Sequence, residues 1–166
     1  SLDGEIIEGL EGITDQTGRV EFSYQGGGEG PVLVTVRGNE DATYFDEAAL
    51  DWQPFGTQRI LRAYLPNIQQ QIVVTALTEL SAGLLAAIGA EANAERIFQV
   101  NQMVNAMFAP DVSGITEVVT SVDSPNPGQL TDNMADRYAL RLVALNYLAN
   151  YPVCPEEETP PESDES

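Results

Sequence analysis

The sequence predicts an α+β protein: a small antiparallel β-sandwich, then a three-helix region, then a disordered acidic tail. Three observations predict it. Up to Thr75 apolar residues recur with a period of two between glycine-rich turns; after Thr75 they recur at helical spacing; residues 155–166 carry none. The expected boundaries are 1–75 for the sheet module, 76–151 for the helical region and 152–166 for the tail. At 166 residues the chain is long enough to bury a core without disulfides or a metal.

The strand signals come in order. Gly4 to Leu10 supplies a short first strand. Thr14-Asp15-Gln16-Thr17-Gly18 then carries turn chemistry, and Val20, Phe22 and Tyr24 alternate with Arg19, Glu21 and Ser23. That alternation predicts a hairpin with Val20, Phe22 and Tyr24 on its buried face. The β-branched run Pro31 to Arg37 is a strong strand closed by Gly38. Residues 42–45, 59–65 and 71–75 complete four or five strands, and their tight spacing favours an antiparallel sandwich.

Helical spacing begins at Ala76. Leu77, Leu80, Leu84, Leu85 and Ile88 form one stripe, with Gly89 as the stop. A second helix spans Ala92 to Phe108, with Ile97, Val100, Val104 and Phe108 on its buried face and Met103 and Met107 beside them as core filler. Residues 111–128 form an irregular connector. Thr131-Asp132 caps a third helix reaching about Asn150, with Met134, Tyr138, Leu142 and Leu145 at helical spacing. Residues 155–166 hold three prolines and six acids and are expected to be disordered.

Composition narrows the chemistry. Twenty-six acids face seven bases, all Arg, giving a net charge of −19. Nucleic-acid phosphates and anionic lipids are therefore excluded as partners. A Lys-free acidic surface suits high salt, and it also suits a GC-rich genome; composition does not separate the two. The absence of His removes Ser-His-Asp and Cys-His nucleophiles and His-ligated zinc or haem. Cys154 is the sole cysteine and can form no intrachain disulfide. No apolar run reaches the 18 residues of a membrane span, so no membrane insertion is expected. No signal peptide is read either, so an exported parent implies a mature or excised piece.

Several stretches, in their order, resemble a family of exported and cell-surface proteins of Gram-negative bacteria. Those proteins open with a carboxypeptidase-regulatory-like β module of immunoglobulin-like or transthyretin-like type and continue into a helical part. The matching stretches are Gly30 to Val36, Thr43 to Ala48, Leu61 to Ala63 with Pro66, and Val74 to Leu80. Asn101, Val104 and Phe108 follow, then Tyr138 to Leu145. The hairpin around Thr14 to Tyr24 resembles those of small β-sandwich modules on secreted bacterial proteins. The resemblance spans residues 12–148. It implies an extracellular, cell-surface or periplasmic place and no catalytic residues. Ala76 departs from the family's Pro, and Ala109-Pro110 from its Gly-Leu.

Three groups are candidate sites. Asp46, Glu47 and Asp41 supply the hard oxygens that Ca²⁺ takes, although no Asp-x-Asp-x-Asp-Gly loop is present. In the structural reading, Asp46 and Glu47 bond backbone N–H groups or pair with Arg62. Arg62 and Glu79 form a polar lock between the sheet and the first helix, where Glu79 also complements the helix dipole. Tyr44, Trp52 and Phe55 gather in a loop, as ligand aromatics for a glycan or as packing that pins the loop.

The sequence thus predicts a non-enzymatic structural, adhesion or assembly module of an exported protein, without a cofactor. Its partners are other protein subunits or surface components, including a second copy through strand exchange at an unpaired edge. A Ca²⁺- or glycan-binding module is the first alternative, and a carboxylate-based glycoside hydrolase the second.

Overall fold

A computed structural model describes residues 10–16, 18–23, 30–46, 51–69, 71–89, 92–116 and 134–150. The expected first strand at residues 4–10 lies almost wholly outside them. So do Tyr24, Glu47, the helix cap at Thr131-Asp132, Cys154 and the tail. Within the described residues the protein is α+β: four short antiparallel strands, then three helices.

The strands form two antiparallel ribbons that are successive sections of one nested hairpin. Strand β1 (Val32–Arg37) and strand β4 (Ile60–Leu65) pair with Val32 opposite Leu65 and Thr35 opposite Arg62. Between them in sequence, β2 (Thr43–Asp46) pairs with β3 (Asp51–Pro54). The Gly38 N–H donates to the Arg59 carbonyl at 3.4 Å and the Phe55 N–H to the Ala42 carbonyl at 2.8 Å, so the pairing runs from one ribbon toward the other. Gly38 is required there. A Cβ on it would sit 2.2 Å from the Gly56 carbonyl oxygen.

Alternation in β1 and β4 sorts their side chains. Val32, Val34, Val36, Leu61, Ala63 and Leu65 share one face, on which Ala63 and Leu65 are fully buried. Leu33, Thr35, Arg37 and Ile60 lie on the other and are exposed.

Helix α1 (Ala76–Ile88) starts where two threonines exchange bonds. The Leu77 N–H donates to Thr75 Oγ1 at 3.2 Å, and the Thr75 N–H to Thr78 Oγ1 at 2.9 Å. Gly89, at φ 63°, ends it in the left-handed cap that glycine favours. Asn93 caps helix α2 (Ala94–Phe108), its Oδ1 accepting from the Arg96 N–H at 2.9 Å. Helix α3 (Met134–Asn150) closes the helical layer. One core cluster gathers Leu77, Val104, Ala109, Val112, Ile115 and Tyr138. A second gathers Leu85, Ala92, Ile97 and Val100, with Tyr64 of β4 packed on it. Asp111 draws α3 in, accepting from Arg141 at 2.5 Å with Arg137 at 3.8 Å.

Four expectations need correction. Residues 20–23 make no ladder with any described strand, and Val20 and Phe22 are exposed, Phe22 by 45%. The turn itself forms: the Asp15 N–H donates to the Arg19 carbonyl at 2.8 Å, with Gly18 at φ 77°. A period of two separates faces, but burial needs a second layer that the described residues do not supply. Residues 71–75 are not a strand either. Val73 donates instead to the Thr116 carbonyl at 3.3 Å, and Thr75 is committed to capping α1. Trp52 lies in β3 rather than in a loop, because β2 offers it a ladder. Met103 and Met107 are exposed on α2, Met107 by 66%, since Ile97, Val100 and Val104 already fill the inward stripe.

Candidate functional site

The feature that the fold builds with most care is the outer edge of β4. In an antiparallel ladder, alternate residues point their N–H and C=O groups away from the partner strand. Arg62 and Tyr64 are such residues, and one outward group of each is met by a side chain from the helices. The Arg62 N–H donates to Glu79 Oε2 at 2.7 Å. The Tyr64 carbonyl accepts from Asn101 Nδ2 at 3.0 Å. Asn101 is oriented in turn by Ser81, whose hydroxyl donates to its Oδ1 at 2.5 Å. One residue of α1 and one of α2 thereby cover part of this edge.

The same Glu79 carboxylate holds the Arg62 side chain. Nε donates to Oε1 at 3.2 Å and to Oε2 at 3.1 Å, and Nη2 also donates to Oε1. Both side chains are about one-third exposed, 35% and 28%. The hydrogen bonds that the guanidinium donates to Glu79 hold the Arg62 pKa above its ordinary value, against the opposing effect of partial burial. Glu79 also lies in the first turn of α1, where the helix dipole favours a negative charge.

Strand β1 is the contrast. Its outward groups belong to Leu33, Thr35 and Arg37, the partners of Tyr64, Arg62 and Ile60. Among the described residues no strand pairs with them, since β1 pairs with β4 alone. The ribbon therefore has one edge partly covered by helix side chains and, among the described residues, one six-residue strand whose outer edge is left as a template.

The candidate aromatics do not form one platform. The Tyr44 and Phe55 rings meet edge to face at 6.1 Å and 82°, and the Arg59 guanidinium lies 5.3 Å from the Tyr44 ring centre. Tyr44 sits opposite Gln53 in the register, so Trp52, next along β3, projects from the other face. Trp52 is 55% exposed there.

The candidate Ca²⁺ ligands are not seen together. Asp41 is exposed, and its backbone N–H donates to Asn39 Oδ1 at 3.0 Å. Asp46 lies in β2, and Glu47 is outside the described residues. Arg62, the other expected partner of that acid pair, is bound to Glu79. Among the described residues no group of three or more acidic or sulfur side chains is arranged to hold a metal ion.

Sequence reasoning missed Asn101 and Ser81 as a pair. They stand twenty residues apart on different helices, and no pattern within either helix marks them. Among the described residues no helix is long and apolar enough to cross a membrane. Comparison of the chain with family models, with curated proteins and with solved structures finds no match.

Proposed function

We infer that this chain is a non-enzymatic structural and assembly module of an exported bacterial cell-surface protein, and that β1 is the edge by which it joins a second copy of itself. The observation that carries this reading is the asymmetry of the ribbon. Glu79 and Asn101 occupy two outward groups of β4, the Arg62 N–H and the Tyr64 carbonyl, whereas Leu33, Thr35 and Arg37 on β1 meet no described strand. Strand addition uses such an edge: main-chain hydrogen bonds supply affinity and alternate side chains supply register. Leu33 and Ile60, exposed on the outer face, give an added strand apolar contacts. In this reading pairing along β1 extends the two-stranded ribbon into a wider antiparallel sheet. The surface location rests on the resemblance of the β-module and helical stretches to exported proteins.

Charge sets the conditions. At −19 two copies repel, and salt screens that repulsion. Light scattering at rising concentration is expected to show self-association that strengthens with salt. Thr35→Pro removes an outward N–H without touching the β1–β4 ladder, so it should leave the chain folded and monomeric. A wild-type chain that stays monomeric at high salt and high concentration contradicts the assembly reading. Native protein recovered from the cytosol contradicts the surface placement.

A further inference from the structure

Strand β1 sets narrow terms for what can pair along its outer edge. Its outward backbone groups belong to Leu33, Thr35 and Arg37, because the Arg62 N–H, across the ladder from Thr35, points away to Glu79. The next such position toward the N-terminus is Pro31, which has no N–H to offer. The next toward the C-terminus is Asn39, which is committed to a turn. Its carbonyl accepts from the Ala42 N–H at 3.3 Å and its Oδ1 from the Asp41 N–H at 3.0 Å. Three outward residues centred on Thr35 therefore remain, all of them exposed. Charge selects what they take. The chain holds 26 acids, yet none of the six residues of β1 or the six of β4 is acidic. A basic segment finds no counter-charge on this edge, whereas a second copy meets it without setting acid against acid.

We propose that two copies pair β1 against β1, antiparallel, about a two-fold axis through Thr35, and that the assembly closes as a dimer. The proposal rests on the reading of β1 as the joining edge and adds its register and its stoichiometry. With Thr35 opposite Thr35 of the second copy, Leu33 falls opposite Arg37 of the second copy, and the reverse pair follows by symmetry. Every outward residue is then matched. A slide of two residues sets Arg37 against Pro31, or Leu33 against the committed Asn39, and one of the matches is lost. A slide of one residue brings groups already turned toward β4 into the seam. On the half-buried face, Val34 lies beside Val36 of the second copy, and both lose contact with water. Growth stops there because the outer edge of β4 is unlike that of β1. A strand adding to β4 would have to displace Glu79 from the Arg62 N–H and Asn101 from the Tyr64 carbonyl. An isologous pair uses the β1 edge of both copies, so the assembly closes at two.

Disulfide trapping at high salt tests the register, in the 166-residue chain carrying Cys154→Ser and one new cysteine. Thr35→Cys places two thiols directly opposite, with Cα atoms about 5.5 Å apart and within disulfide reach. Leu33→Cys alone, or Arg37→Cys alone, leaves its two copies about 14 Å apart. Thr35→Cys should therefore cross-link about tenfold faster than either, or better. A mixture of the Leu33→Cys and Arg37→Cys chains should cross-link as a heterodimer. Light scattering of the wild-type chain under the same conditions should level off at the mass of two copies. Fastest cross-linking in Leu33→Cys or Arg37→Cys alone, or none in their mixture while the chains associate, overturns the register and leaves the assembly reading standing. A mass that keeps rising beyond two copies overturns the closure. A wild-type chain that never associates overturns the assembly reading itself, and this proposal with it.

Discussion

The Arg62 backbone N–H and the Arg62 guanidinium both donate to the carboxylate of Glu79, the former at 2.7 Å. One acid therefore ties a strand edge and a helix N-terminus together. Removing it leaves a guanidinium and a peptide N–H without their acceptor. Glu79→Ala is expected to destabilise the fold by about 1–3 kcal/mol in urea unfolding. Glu79→Gln keeps an acceptor for the Arg62 N–H and should cost less. Equal losses in the two variants would mean that charge alone matters at this position.

The same pair predicts a pH dependence. The guanidinium pKa is raised in the folded chain, so its contribution is fully present below the unfolded value and is lost only as pH climbs through the folded one. The coupling energy from a double-mutant cycle of Arg62→Gln and Glu79→Gln should therefore stay constant from neutral pH to about pH 10. A decline inside that window contradicts the assignment.

Gly38 is the tightest point of the nested hairpin. Gly38→Ala drives a methyl group against the Gly56 carbonyl, with the Phe55 ring 2.6 Å from the new carbon. The chain must open at the junction of the two ribbons, and a loss of roughly 1–3 kcal/mol is expected. For a chain this long that lowers the melting temperature by about 2–4 °C per kcal/mol.

The start of α1 depends on reciprocal threonine bonds. Thr75→Ala should cost about 0.5–2 kcal/mol. It also removes the hydroxyl that lies 3.3 Å from the Tyr138 hydroxyl of α3. Thr75→Ser retains both interactions and should be close to wild type by calorimetry.

Helix α2 separates inner from outer apolar residues. Leu77→Ala at the interface of α1 and α2 should cost about 2–5 kcal/mol, because Leu77 is fully buried. Met107→Ala should change stability by less than about 0.5 kcal/mol. Similar costs at both positions would place Met107 in the core after all.

The helices were the most legible part of the chain. Stripes such as Leu77 and Leu85, or Ile97, Val100 and Val104, mark their own inward face, and Thr75 and Gly89 mark the ends of α1. The β1 run was equally plain, because β-branched residues bounded by Gly30 and Gly38 have few alternatives. What failed were statements about partners. Val20 and Phe22 alternate correctly, yet alternation names a face without naming what covers it. Trp52 looked like a loop residue because its ladder exists only once β2 folds beside it. Residues 71–75 looked like a strand because β-propensity is silent about the Val73 bond to Thr116. Arg62 and Glu79 could be paired in advance from a charged strand residue and an acid in the next helix's first turn. Asn101 and Ser81 could not, since neutral polar groups on separate helices leave no mark on periodicity.

The central claim is that helix side chains cover the Arg62 N–H and the Tyr64 carbonyl on the outer edge of β4, while β1 meets no described strand and serves as a template. Amide hydrogen exchange in the dilute, low-salt monomer tests it most directly, by comparing Arg62 and Thr35, which face each other across the ladder with both N–H groups outward. The Arg62 amide, bound by Glu79, should exchange slowly, and the Thr35 amide should exchange at a rate near that of an open chain, becoming protected when high salt drives association. Strong protection of Thr35 in the monomer would contradict the account, because its edge would then already be occupied.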